Sequence, residues 1–285
     1  MRRFLNLWSG LLIGLAPLGA TAAVPDGCGA LNDPQGLARS ARIILVGEIH
    51  GTREYPALVA RLACAALDGG RPVTLALEIP QDEQARLTAY MASLGNDAAR
   101  SALTSGSRFW EKVRDGRSSI AVLALIEQAR RWRIQGLPLE LIAIDKPQGA
   151  AGTRDEHMAA RIRSASMTAP EMVVIALAGN GHTRLAPLSP GHLAGLPKGV
   201  DTPMGMLLRD LGPASIGSPL SRGAFFGCAP DCRVHDGDIE GPTVAVPVIS
   251  RTRDRGRGPY THVVELGTTT PALPALGIPA TPPGP

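Results

Sequence analysis

The chain has 285 residues, 44% of them apolar and only 4% aromatic. That length suits one large α/β domain or two small ones, with a core that must be mostly aliphatic. Setting aside Arg2 and Arg3 takes the 29 basic residues to 27, against 25 acidic ones, a near balance that gives no reason to expect a nucleic-acid partner.

At the N-terminus Arg2 and Arg3 precede an apolar stretch over residues 11–18 and then the small residues Gly19-Ala20-Thr21-Ala22-Ala23. This charged, apolar, small-residue order predicts a signal peptide over residues 1–23, with an apolar part too short for a membrane span. A retained N-terminal anchor is the alternative. Lipidation at Cys28 is disfavoured because Pro25-Asp26-Gly27 supplies no apolar residue upstream of it. The expected mature protein starts near Ala23 or Val24, is periplasmic or secreted, and is not stably inserted in a membrane. Its four cysteines then stand in an oxidising compartment, where three pairings are open in principle. Cys228 and Cys232 bracket a turn, and pairing them leaves Cys28 for Cys64. The three-residue gap between Cys228 and Cys232 argues against a redox or thiolate-metal pair, which uses two.

Residues 24–40 read as an N-terminal segment. From there the pattern alternates strand and helix, predicting an α/β fold with a mostly parallel sheet over residues 41–267. Residues 43–46 form the first strand, ending at Gly47-Glu48-Ile49-His50. Helical spacing follows over 55–67, with Leu58, Leu62 and Ala65 on one face. The strand at 73–77 delivers Glu78, and a long helical region covers 81–94 and 109–132 with a break near Asp115-Gly116. A third strand, 139–144, ends at Asp145. Thr153 and Glu156 have capping-box spacing at the start of a helix over 153–164. A fourth strand, 172–178, ends at Gly179-Asn180-Gly181-His182. The proline- and glycine-rich stretch 187–203 predicts a long surface loop or lid. Short strands near 214–216, 224–226, 244–249 and 262–266 would extend the sheet, and the Pro-rich tail 268–285 is expected to be disordered. Arg251, Arg253, Arg255 and Arg257 lie among Gly, Pro, Ser and Thr and read as a solvated loop.

In an open parallel sheet, ligands bind where the strands end. Four strand ends here carry His50, Glu78, Asp145 and the Asn180/His182 pair. Histidine at such a place serves as a general base or a metal ligand. Glu78 ends an apolar strand, so it must be paired, hydrated or metal-bound. Glu48 lies two residues before His50, which puts both side chains on one face of extended backbone. Asn180 is placed to donate to a developing oxyanion. A lone strand-end histidine or glutamate is more often structural, Glu78 pairing with Arg53 or Arg154, but two matched tetrads and two acidic strand ends together favour a site. His157, His192, His235 and His262 read as surface or structural. No HExxH helix, phosphate-cradling loop or GxSxG elbow is present, so serine nucleophile chemistry has no support.

The paired GxxH tetrads with Glu78 resemble the superfamily that groups erythromycin esterases, ChaN-type haem-binding proteins and TIKI/TraB proteases. Gly47-Glu48-Ile49-His50-Gly51-Thr52 is similar to the esterase and ChaN branches. Phe109-Trp110, Asp115-Gly116-Arg117, Arg154-Asp155 with Met158-Ala159, and Pro203-Met204-Gly205 resemble further segments of the group. The likeness runs over roughly residues 41–266, and the stretch after His182 departs from it. It implies pseudo-repeated GxxH halves around one cleft. The esterase branch implies metal-independent hydrolysis with a histidine activating water. The TIKI branch implies a divalent metal on the GxxH histidines and a glutamate, and the ChaN branch implies haem binding.

The expectation is therefore an exported hydrolase of ester or peptide bonds, acting on a small molecule or peptide through His50, Glu48, Glu78 and His182, with His50 as the base that activates a water or metal-bound hydroxide, assisted by Glu48 and Glu78. Arg53, Asp145, Arg154 and Asn180 are the candidate substrate contacts. His50, Glu78 and His182 form a candidate Mn or Zn set. The alternative is a haem- or iron-binding uptake protein, with Tyr55, Met91 and the histidines as ligands, and a silent scaffold is the dullest reading.

Overall fold

The computed structural model describes residues 27–168, 171–188, 202–217, 222–228, 231–238, 244–253 and 258–277. The signal peptide, His192, Arg255, Arg257 and most of the proposed lid lie outside these residues. Among those described, no helix is long and apolar enough to cross a membrane.

Four apolar runs become the parallel strands β1 (Ile43–Glu48), β2 (Val73–Pro80), β3 (Leu139–Asp145) and β4 (Val173–Gly179). Strand β1 is buried throughout, as expected where helices cover both faces of a parallel sheet. Its side chains alternate between two cores. Ile44 and Val46 pack on the side of the helices α2 (Glu54–Asp68), α3 (Gln84–Met91) and α6 (Ile120–Ile134). Ile43 and Leu45 pack on the side of α7 (Arg154–Thr168) and the short α8 (Met204–Leu207). The short helices α1 (Leu37–Ser40), α4 (Asp97–Thr104) and α5 (Arg108–Lys112) fill the remaining connections. The capping box at α7 is present: Thr153 N–H donates to Glu156 Oε2 at 2.7 Å, and Glu156 N–H donates to Thr153 Oγ1 at 3.2 Å.

The seven-stranded sheet runs β3-β2-β4-β1-β5-β9-β8, with β5 (Ala214–Gly217), β8 (Val248–Arg251) and β9 (His262–Glu265) at its far side. Only β8 is antiparallel to its neighbour. Because β4 inserts between β2 and β1, the two GxxH strands are adjacent and in register, Glu48 opposite Gly179. Sequence order alone does not give that adjacency.

Two expectations change. The strand expected near 224–226 does not join the main sheet. As β6 (Arg222–Cys228) it pairs with β7 (Cys232–Asp238) in a hairpin, and β10 (Thr268–Thr269) pairs alongside. A hairpin satisfies its own backbone, so it needs no edge of the larger sheet. The tail is also more structured than its composition predicts. Residues 270–275 lie across the loops before α2 and α6, where Arg53 N–H donates to Thr270 O at 3.0 Å and Ala275 N–H to Ser118 O at 2.9 Å. Proline removes donors but leaves carbonyls, so an extended Pro-rich strap can still be held by loops that supply N–H groups. Residues 278–285 are outside the description.

Both cysteine pairings are as expected, Cys28 with Cys64 at a Cα–Cα distance of 5.8 Å and Cys228 with Cys232 at 3.8 Å. The first ties the N-terminal segment to α2, and the second closes the β6–β7 hairpin.

Candidate active site

The site grows from the adjoining ends of β1 and β4. At the end of β1 the chain turns so that Glu48 Oε1 and His50 Nδ1 come within 2.7 Å. Gly51 then adopts φ 76°, and a side chain there would run into the Phe226 carbonyl, so the tight turn against the hairpin requires glycine. At the end of β4, Gly179 makes room for the first imidazole: a Cβ would come within 3.1 Å of His50 Nε2 and press the ring a few tenths of an ångström aside.

His182, the second tetrad's imidazole, sets its Nδ1 2.8 Å from Asp155 Oδ1 in the first turn of α7. That same oxygen accepts the Met204 N–H at 2.7 Å. Each imidazole thus has one nitrogen anchored on a buried carboxylate, with the other turned inward. His50 Nε2 lies 3.7 Å from Glu78 Oε2, and His182 Nε2 lies 3.9 Å from Glu78 Oε1. Two carboxylate–imidazole dyads therefore face each other across one glutamate. Both histidine side chains remain 23% exposed, whereas that of Glu78 is 2% exposed, so a substrate reaches the imidazoles before the glutamate.

Glu78 is satisfied on both oxygens. Oε2 accepts the Gly179 N–H at 2.6 Å, and Oε1 accepts from Arg117 Nη1 at 3.2 Å and from Arg154 Nη2. Asp145 shares the same two guanidiniums, at 2.9 Å from Arg117 Nη1 and 2.8 Å from Arg154 Nε. Asp115 grips Arg117 from the far side, at 2.7 Å. The result is a lattice of three acids and two arginines beneath the imidazoles, with Glu78 and Asp145 buried and Asp115 at its open edge. Unpaired, the two buried carboxylates would each cost several kcal/mol.

These charges set the protonation states. Burial by itself would lower the His50 pKa, but the carboxylates of Glu78 and Glu48 outweigh it and raise it to about 9. Burial likewise pushes Glu78 up, yet His50, His182, Arg117 and Arg154 together hold it well below the usual carboxylate range. The resting site at neutral pH is an ionised Glu78 beside a His50 imidazolium.

The donor set does not fit a divalent metal. Glu78 already accepts from two guanidiniums and a backbone N–H, so an ion between it and the imidazoles would find one carboxylate lone pair left and sit against two fixed positive charges. Among the described residues no three His, Cys, Asp or Glu side chains are arranged to hold one. Nor are Tyr55 and Met91 available as iron ligands, since both are buried in the core under α2 and α3.

Of the other candidates, Asp145 and Arg154 belong to the site. Arg154 is 40% exposed and uses Nε and Nη2 on the acids. Asn180 donates its backbone N–H to Glu48 O at 2.9 Å, and its Oδ1 is buried against Gly47. Arg53 is outside the cluster, exposed and donating to Pro271 O at 3.2 Å. His262 is buried rather than superficial, with Nδ1 2.8 Å from Thr261 Oγ1. Sequence reasoning did not single out Asp155 and Arg117 as site residues. Asp155 looks like an ordinary first-turn acid favoured by the helix dipole, and only the likeness of Arg154-Asp155 to a segment of the superfamily gives any signal. Arg117 stands in a loop, where Asp115-Gly116 marks a turn and the likeness of Asp115-Gly116-Arg117 to a superfamily segment is the only signal.

No protein-family profile matches the chain, and no curated protein does. Solved structures match its fold. An erythromycin esterase mutant in its open conformation shares 12% identity at a TM-score of 0.52, over 84% of this chain and 90% of that one. A Bacillus cereus protein shares 12% at 0.53, over 85% and 92%. A succinoglycan biosynthesis protein shares 12% at 0.52, over 85% and 91%. The fold of this chain is thus the one seen in erythromycin esterase, as the paired tetrads led us to expect.

Proposed function

We propose that the protein is an exported, metal-independent hydrolase of an ester or peptide bond, with the two facing dyads as its acid and base. The observation that carries this is the convergence of both Nε2 atoms on Glu78, at 3.7 and 3.9 Å. Sequence reasoning made His50 the base. The charges around it favour the opposite assignment, because a group held protonated at neutral pH has a proton to give. His182, oriented by Asp155, takes a proton from water as the water oxygen bonds to the carbonyl carbon. His50, oriented by Glu48, delivers its proton to the leaving oxygen or nitrogen as that bond breaks. Glu78 stabilises whichever imidazole is charged. Among the described residues Arg154 Nη1 donates no hydrogen bond, leaving it for the substrate carbonyl oxygen. The likeness in fold to an erythromycin esterase supports hydrolysis without naming the substrate, and the two disulfides fit export.

The test is a panel of ester and peptide substrates assayed in the presence of chelator. Turnover should persist under chelation and fall about 10²- to 10⁴-fold in His50→Ala, His182→Ala and Glu78→Ala. Turnover that needs added Mn²⁺ or Zn²⁺ would overturn the metal-free mechanism. A haem Soret shift abolished by His50→Ala, without turnover on any substrate, would replace hydrolysis by haem binding.

A further inference from the structure

A cleft of about 530 Å³ opens between α2 and α6, and none of the residues around it belongs to the dyads or their acids. Its volume lies within the range of small-molecule sites. Its walls are mostly aliphatic, formed by Pro56, Ala57 and Ala60 on α2 and by Ile120, Ala121 and Ala124 on α6. Ile120 is 37% exposed at this wall, a large apolar side chain left facing solvent.

The charged groups that line the cleft are of one sign. Arg53 and Arg61 both line it, with the amide of Gln128 opposite, and among the described residues no acidic one does. Neither guanidinium forms an ion pair with any described acid: Arg53 donates only to the Pro271 carbonyl, and Arg61 has no hydrogen bond among the described residues. Other arginines divide: Arg42, Arg71 and Arg133 likewise donate only to backbone carbonyls, whereas four are held closely by acids. Arg117, Arg130, Arg154 and Arg163 each hold a carboxylate at 2.9 Å or less. Two uncompensated cations above an apolar floor are complementary to a molecule with one anionic head and a slender apolar body.

We infer that this cleft binds an amphipathic carboxylate, its head between Arg53 and Arg61 and its hydrocarbon along the alanine-lined walls. The site is separate from the hydrolytic centre. Arg53 is nonetheless three residues from His50, and the strap holds both Arg53, through Pro271 O, and Gly51, through Ala272 N–H.

The experiment is calorimetric titration of the full chain with octanoate, 1-octanol and acetate at neutral pH. Octanoate should bind, with 1-octanol and acetate each at least about tenfold weaker, because one lacks the charge and the other the chain. Arg61→Gln should weaken octanoate about tenfold, and Ala124→Trp, which fills the cleft mouth from an exposed position, should abolish binding. His50→Ala should bind octanoate as the unaltered protein does, which separates this site from the hydrolytic one. Equal affinity for 1-octanol, unchanged binding in Ala124→Trp, or loss of binding in His50→Ala would each overturn the assignment.

Discussion

Ala272 donates its backbone N–H to the carbonyl of Gly51 at 2.7 Å, tying the C-terminal strap to the turn that carries His50. The same strap holds the loop that carries Arg117, through Ile120 N–H to Leu273 O at 2.8 Å. Thr270 adds a side-chain clasp, its hydroxyl donating to Glu54 Oε1 at 2.6 Å. Two loops of the site thus keep their spacing through a segment that contributes no catalytic group. Ending the chain at Gly267 should leave the seven-stranded sheet folded by circular dichroism but lower kcat/KM about 10²-fold, the usual cost of misplacing reacting groups by an ångström. Undiminished turnover in the shortened chain would remove the strap from the account.

Asp155 and Glu48 occupy matching places behind the two imidazoles. Asparagine at 155 keeps the size of the side chain but reverses the preferred hydrogen bond, so His182 would lose the tautomer that exposes a basic Nε2. Asp155→Asn should reduce kcat about 10- to 100-fold with little change in KM. Glu48→Gln should do the same through His50. If only one of the two variants is impaired, the chemistry uses a single dyad.

Much of this site was legible before any fold was known, because strand ends in parallel sheets are where polar residues have a reason to be. His50, Glu78, Asp145 and His182 each interrupt or end an apolar run, and that contrast marks them. Asp155 and Arg117 carry no such contrast. A charged residue in the first turn of a helix or in a loop is the ordinary case, and only the crossover that places β4 beside β1 brings them in. The strap was hidden for a related reason. Residues 270–275 form no periodic pattern, since they bind through backbone carbonyls and N–H groups, which are blind to side-chain identity. The separate hairpin was hidden because short strands report their pairing partner poorly.

The raised pKa of His50 has two consequences of opposite location. Folding raises it from 6.5 to about 9, so the stabilisation is complete below about 6.5 and is lost as the pH rises through 9. Unfolding free energy should therefore decline across that window, by at most about 3 kcal/mol, and His50→Gln should flatten the decline. As the general acid, His50 must be protonated, so kcat/KM should fall above pH 9. Glu78 acts at the other end: its lowered pKa means its contribution is present above about 4.5 and is lost only as the pH falls well below the usual carboxylate range. Denaturant melts at pH 6, 8 and 10 and an NMR titration of the His50 ring check the His50 assignment, and a further melt at pH 3 checks Glu78; a His50 midpoint near 6.5 would refute the assigned acid.

Arg117 is 14% exposed and bridges Glu78, Asp115 and Asp145. Replacing it by methionine preserves much of its volume but removes the charge that three acids share. Two of those acids, Glu78 and Asp145, are buried, and breaking a buried pair from one side costs about 3–5 kcal/mol. Arg117→Met should lose that much in urea unfolding. The loss should shrink as the pH is lowered and the acids are neutralised by protonation. A loss independent of pH would mean that Arg117 matters for its packing alone.

The two disulfides should differ in worth because they close loops of different length. Cys28 and Cys64 are 36 residues apart, whereas Cys228 and Cys232 are four apart. Cross-linking removes more freedom from the unfolded chain when the loop is long, which gives about 4 kcal/mol for the first bridge and about 2 kcal/mol for the second. The activity effect should run the other way. The short bridge closes the hairpin whose Phe226 N–H donates to Gly51 O at 2.9 Å, next to His50, while the long one fastens the N-terminal segment to α2. Cys28→Ala/Cys64→Ala should therefore unfold at markedly lower denaturant yet keep its turnover at 25 °C. Cys228→Ala/Cys232→Ala should lose less stability and more turnover. Urea melts paired with initial rates decide it, and the reverse ranking in either measurement would show that loop length or hairpin contact is not what sets the effect.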